Sequence, residues 1–241
     1  MEVLPTVPFA QFLDRADTGD VVIWQGTSLI SAAVELATFS EFSHTTMVIR
    51  DPGTGEKYLL QSVTEELAPD PLSKPPGTTH TGVQAGPLEE VMEIVVKAGD
   101  RPVWRQLSWL DRPSSFDAKV WQIAQAIDGT PFPWIGGDDP SHAEVAESIL
   151  LMGGLLLLGR RYGKEVTDPI FCSALVAFVL QAADVIEKSM VVNGYEPKDF
   201  SSEYPGIVKP CPGVSFNGDV GIVGIPPPSG SGPHPIDVAA Q

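Results

Sequence analysis

A chain of 241 residues, 43% hydrophobic and 19% charged, is long enough to bury a core and too apolar for disorder. Its formal net charge of −16, from 31 acidic and 15 basic residues, repels phosphate backbones and anionic headgroups, so no nucleic-acid partner is expected. The two cysteines, Cys172 and Cys211, allow one disulfide but not a disulfide scaffold.

The first eleven residues lack a basic region followed by an apolar run. No signal peptide is expected, and the protein is expected to be made and kept in the cytoplasm unless it leaves by lysis or within a larger particle. Phe9 to Leu13 fits one helical turn. Asp20 to Trp24, β-branched and following a glycine, reads as a strand. Gly26-Thr27-Ser28 signals a turn and N-cap, and Leu29 to Thr38 sets Leu29, Ala32/Ala33 and Leu36 on one helical face. After a polar loop, His44 opens a strand over Thr45 to Arg50. Asp51-Pro52-Gly53-Thr54-Gly55 turns it into the return strand Lys57 to Val63.

A Pro-rich loop follows over Pro69 to Gly77. Gly82 to Ala85 reads as a strand and Leu88 to Met92 as a short helix. Glu93 to Lys97 and Val103 to Leu107 read as a hairpin around Ala98-Gly99-Asp100-Arg101. Val120, Ile123/Ala124 and Ile127 mark a helix over Phe116 to Ile127, stopped by Asp128-Gly129-Thr130-Pro131. A Gly/Pro/Asp loop and a second helix over about 143–159 come next. The most apolar run, Ile149 to Gly159, is eleven residues long. A bilayer span needs about 20, so a buried helix is expected and no integral span; a lipid-facing helix is the alternative. From Cys172, an apolar face of Leu175, Val176, Val179, Leu180 and Ala183 marks a long helix. Beyond Pro205 no periodicity is dependable, and Pro226-Pro227-Pro228 with the SGSG that follows reads as a tail. The order of elements is an α+β pattern.

Three residues suit nucleophilic chemistry. Cys172 begins a helix, where unpaired N–H groups and the dipole favour a thiolate and can receive an oxyanion. His44 is a neutral base near pH 7 that could hold such a thiol. Gln61 lies on the strand paired to the His44 strand, close across the hairpin, where a polar group can orient an imidazole. Each also fits a structural role when taken alone: a small core cysteine, a satisfied histidine, an outward polar residue. No pair of His, Cys, Asp and Glu residues has metal-ligand spacing, so no metal is expected, and no Walker or dinucleotide glycine pattern points to a cofactor. His80 and His142 fall in loops, His234 in the tail, and Cys211 between two prolines reads as a spectator.

The words around these residues carry more. Gly19-Asp20-Val21-Val22 with Phe39-Ser40-Glu41-Phe42-Ser43-His44 resembles the opening of permuted NlpC-superfamily proteins, the YiiX-like branch, with lecithin retinol acyltransferase a more distant relative. The stretches from Gly82-Val83 to Leu88 and from Glu93 to Val96 resemble that family's middle region. Asp128-Gly129-Thr130-Pro131-Phe132 resembles its G-x-P-aromatic loop, and Phe171-Cys172-Ser173-Ala174-Leu175-Val176 its helix start. The likeness spans residues 18–190 or so. It departs at Ala174, where the family has Glu, at Thr45-Thr46, where it has small apolar residues, and in having an amide as third residue.

The resemblance implies a circularly permuted papain-like fold, a small antiparallel sheet or barrel packed on helices. Residues 1–200 would form that domain with an insertion at about 133–168, and 201–241 an extended Pro/Gly-rich tail. It implies Cys172 as nucleophile, His44 as base and then acid, and Gln61 as orienting residue. The expected activity is cysteine hydrolysis of amide bonds, peptide or isopeptide, as in bacterial cell walls. Acyl–lipid hydrolysis or transfer is the alternative. A further one is a virion- or assembly-associated component of weak or no activity, with a larger assembly holding the tail. The expected partner is a peptide or acyl substrate.

Overall fold

The computed structural model describes residues 4–27, 29–132 and 171–226. Among them the chain runs β1 (Thr6–Pro8), α1 (Phe9–Arg15), β2 (Val21–Gln25), α2 (Leu29–Thr38), β3 (His44–Arg50), β4 (Lys57–Val63) and β5 (Gly82–Pro87). It continues with α3 (Leu88–Lys97), β6 (Arg101–Arg105), β7 (Leu107–Trp109), α4 (Phe116–Ile127), α5 (Cys172–Ala182), two 3-10 turns, β8 (Val214–Phe216) and β9 (Val220–Val223). Seven strands form an open sheet in the order β1-β9-β6-β2-β3-β4-β5, antiparallel except for β1 beside β9. The class is α+β, with no closed barrel among the described residues.

The strands are apolar almost throughout because both faces of the sheet are covered. On β2, Val21 and Ile23 enter one core with Met47, Ile49, Leu60 and Val103. That core is capped by Phe116, Val120 and Ala124 of α4 and by Leu175, Val176 and Val179 of α5. Val22 and Trp24 alternate to the other face, with Val48, Leu59 and Trp104, beneath Phe9 and Phe12 of α1 and Leu88, Val91 and Met92 of α3. The result is three layers, helices on either side of one sheet.

The Gly19-Asp20 pair has a mechanical role. Gly19 has φ +93°, and a Cβ there would lie 2.4 Å from Leu107 Cδ2. Asp20 is buried and gathers three N–H donors: the Trp104 indole (2.9 Å), the Leu107 amide (2.8 Å) and the Asp17 amide (3.1 Å). It ties the start of β2 to β6 and β7. Burial wins over these bonds and pushes its pKa up to about 7.

Several expectations are corrected. Glu93–Lys97 is not a strand but the second half of α3, because Leu88, Val91, Met92 and Ile94 recur at helical spacing and all are buried. Leu36, set with Leu29 and Ala32/Ala33 on one apolar face of α2, is 65% exposed, and Phe39 beyond it is 83% exposed. Residues 201–226 are not a tail: β9 inserts between β1 and β6, and β8 pairs with β7. Their periodicity is hidden because each strand is only three or four residues long. The expected insertion and its apolar helix, His142, His234 and the Pro/Gly end of the tail lie outside the described residues. No described helix is long and apolar enough to cross a membrane. Both cysteines are free thiols.

Candidate active site

The site forms where two neighbouring strands part. β3 and β4 pair from Arg50↔Lys57 to Met47↔Leu60 and no further. Beyond that point β3 stays with β2 as far as Trp24↔His44, while β4 stays with β5 through Gln61↔Gln84 to Val63↔Gly82. Continued register would set Gln61 across from Thr46, diagonal to His44 rather than opposite it. In the splayed end the Thr45 amide, turned away from β2, reaches the sulfur of Cys172.

Cys172 is the first residue of α5. Phe171, the N-cap, is extended and supplies no side-chain cap, so the first-turn amides are available. Those of Cys172 and Ser173 join that of Thr45 in facing the sulfur. The helix is fixed by burial of nearly its whole surface and by Ser173 Oγ donating to the Tyr195 carbonyl at 2.8 Å. Ala174 is fully packed in the core, where a Glu would be a buried charge in need of a partner.

Sequence position alone predicts a thiolate here, and the structure reverses that. Desolvation exceeds the help of the three amides and pushes the Cys172 thiol up to about 11. His44 shifts in the complementary direction. Burial lowers it to about 4, opposed by a weaker hydrogen-bonding effect of the Gln61 side chain. The residue as a whole keeps some exposure, but its Nε2 is buried, so desolvation acts at the nitrogen itself. At neutral pH the resting pair is therefore thiol and neutral imidazole, not thiolate and imidazolium. Gln61 is buried beside His44, close enough to favour its protonated form. His44 Nε2 and Gln61 Nε2 nevertheless lack a well-formed hydrogen bond, which leaves donor and acceptor capacity at the heart of the site.

Chemically the arrangement offers a nucleophile, a neutral base, an amide to steady that base, and backbone N–H groups where an oxyanion would form. The structure sets Gln61 beside His44 at the end of the β3/β4 splay and brings the sulfur of Cys172 to the amide of Thr45, the residue after His44. It leaves Cys211 elsewhere, half-buried, its amide bonded to the Val185 carbonyl.

A second polar cluster escaped the sequence reading. Asp70, His80 and Asp128 converge from the loop after β4, the approach to β5 and the end of α4. Spacings of ten and forty-eight residues give no motif; only the fold brings them together. Asp70 is fully buried, accepting from the Leu72 amide at Oδ1 and the Ala85 amide at Oδ2, each at 2.7 Å. Burial, then the Asp70 charge, raises Asp128 to about 6. Gln84, the β5 partner of Gln61, secures the connecting segment by donating to the carbonyls of Glu65 (2.8 Å) and His80 (2.7 Å).

The fold is a three-layered α+β domain in which β3 and β4 part beside His44 and Gln61, with the start of α5 reaching the Thr45 amide. No family model and no curated protein matches the sequence. Among solved structures it is similar to the metalloprotein YiiX from Escherichia coli O157:H7, at 20% identity and a TM-score of 0.38. That match covers 84% of this chain and 97% of the other. At that distance it gives no residue of this chain a role.

Proposed function

We propose that this protein is a cysteine hydrolase of the permuted papain-like type, acting on amide bonds. The observation that carries the reading is the β3/β4 splay, where the sulfur of Cys172 meets the Thr45 amide next to His44, with Gln61 beside the imidazole. The chain order, histidine before the third residue before cysteine, agrees with it.

The neutral resting pair dictates the mechanism. His44 removes the Cys172 proton as the sulfur attacks the carbonyl, and the backbone amides around the sulfur receive the oxyanion. Collapse expels the amine, which takes its proton from His44, and leaves a thioester on Cys172. Water, deprotonated by His44, attacks the thioester, and the thiol recovers its proton as the acid is released. Gln61 acts through His44 as a positioning residue.

One observation favours a second reading, an acyl–lipid substrate: Leu36 and Phe39 stand exposed in the segment that leads to His44. A mixed panel separates the two, with cell-wall isopeptides and model peptides on one side and acyl–lipid esters on the other. Amide turnover by the wild type, lowered about a thousandfold in Cys172→Ala, is the expected result. Release of fatty acid alone would favour the second reading. No turnover of either class, or equal turnover by wild type and Cys172→Ala, would refute a cysteine hydrolase.

A further inference from the structure

We propose that Asp70, His80 and Asp128 form a binding site for a single divalent transition-metal ion with mixed nitrogen and oxygen ligation, for which Zn2+ is a suitable probe. His80 Nε2 lies 3.2 Å from Asp70 Oδ2 and 3.3 Å from Asp128 Oδ1, and all three atoms fall within 4.8 Å of one another. Metal–ligand bonds of about 2.0–2.1 Å at tetrahedral angles set neighbouring donor atoms roughly 3.3–3.4 Å apart, close to the two spacings from His80 Nε2.

Short contacts between a histidine and two carboxylates also suit a protonated imidazole held by hydrogen bonds. The angles argue against that. Both His80 Nε2 and Asp128 Oδ1 are buried without a well-formed hydrogen bond, despite being 3.3 Å apart. A proton on Nε2 would point at neither oxygen well, which leaves the Nε2 lone pair open to an ion among the three atoms. The far side of the ring agrees. His80 Nδ1 is 3.0 Å from the Thr81 carbonyl, an acceptor only, so Nδ1 carries the hydrogen and Nε2 is the nitrogen available to a metal.

Charge gives an independent reason. Among the described residues, no lysine or arginine is paired with Asp70 or Asp128, and Asp70 is completely buried. Two carboxylates drawn together are relieved either by a shared proton or by a cation between them. Asp70 is also built as a ligand rather than a surface acid, because the Leu72 and Ala85 amides fix both of its oxygens. One imidazole and two carboxylates suit zinc and its neighbours better than Ca2+ or Mg2+, which prefer oxygen alone. Three protein ligands leave at least one position open.

The ion would clamp three segments. The end of α4 is already tied to β5: the Val83 amide donates to the Thr130 carbonyl, and the Gly129 amide to the Val83 carbonyl, each at 2.9 Å. Gln84 holds the loop that carries Asp70 and His80. The site thus lies against β5, the strand paired with the one that carries Gln61, and it stands independently of the Cys172 chemistry.

Zn2+ is titrated into chelator-treated full-length protein by calorimetry, with metal content measured after dialysis. One Zn2+ per chain is expected, with affinity lowered about 100-fold in both His80→Gln and Asp128→Asn, each checked for folding by circular dichroism. Absence of stoichiometric binding overturns the proposal, as does binding that both folded variants retain. Should the variants misfold, Co2+ titrated into 15N-labelled wild type decides. Paramagnetic broadening centred on the Leu72, Thr81 and Ala85 amides supports the site, and broadening centred elsewhere overturns it.

Discussion

The neutral thiol–imidazole pair makes a quantitative prediction about Cys172 without a substrate. With its pKa pushed up to about 11, the thiolate fraction at pH 7 is about one in ten thousand, against about 3% for an ordinary cysteine of pKa ~8.5. That is roughly 300-fold less thiolate. The more basic sulfur is a better nucleophile, and a Brønsted slope of about 0.45 over 2.5 pK units returns roughly tenfold. Iodoacetamide should therefore alkylate Cys172 about 20- to 30-fold more slowly than a cysteine peptide at pH 7, before any loss from burial. The rate should climb about tenfold per pH unit from pH 7 to 10. Peptide mapping by mass spectrometry, with free Cys211 resolved separately, gives the profile. His44→Ala should leave its shape unchanged, because a neutral imidazole does not hold a thiolate. A plateau reached below pH 7 and abolished by His44→Ala would show an ion pair and refute the reasoning.

Burial that raises Asp20 to about 7 means that the native state holds a proton there that the unfolded chain has released, so this group costs stability as pH rises from 4 through 7. Three pK units set a ceiling of about 4 kcal/mol, and Asp20→Asn should shrink the difference in urea midpoint between pH 5 and pH 8; an equal difference in both proteins would contradict the assignment. Gly82 has φ +87°, and a Cβ there would lie 2.3 Å from the Thr130 carbonyl oxygen. Gly82→Ala should cost about 1–3 kcal/mol in thermal unfolding, and an unchanged midpoint would show that the β5–α4 tie is not held as described. Replacing the neutral amide beside His44 by a carboxylate, Gln61→Glu, should raise the imidazole pKa well above 4, and Gln61→Leu should lower it further. Histidine NMR titration reads both shifts, and two unmoved pKa values would remove Gln61 from the site.

The elements that carry the candidate residues were legible where their signals were local. Phe171-Cys172-Ser173 and Ser43-His44 each sit at the start of an element whose periodicity is plain, so both residues and their elements could be placed from sequence. Gln61 was placed on the correct strand and close to His44, but the splay that ends the β3/β4 ladder between them leaves no mark in either strand. The state of the thiol was misjudged for a different reason. A helix start is visible in sequence, whereas the depth at which the sulfur is buried depends on the packing of α5 against the sheet. Glu93–Lys97 misled because β-branched residues suit strands, although the helical spacing continued through them. The strand β9 was lost in a stretch too short for alternation to show, and it finds its place only between β1 and β6.

The most direct test of the central claim is to trap the acyl-enzyme. The protein is mixed with an activated acyl ester at pH 7, quenched in acid, and mapped by peptide mass. The account predicts one acyl group as a thioester on Cys172, absent in Cys172→Ala and formed much more slowly in His44→Ala. An adduct confined to Cys211, or acylation of Cys172 at the same rate with and without His44, would contradict it.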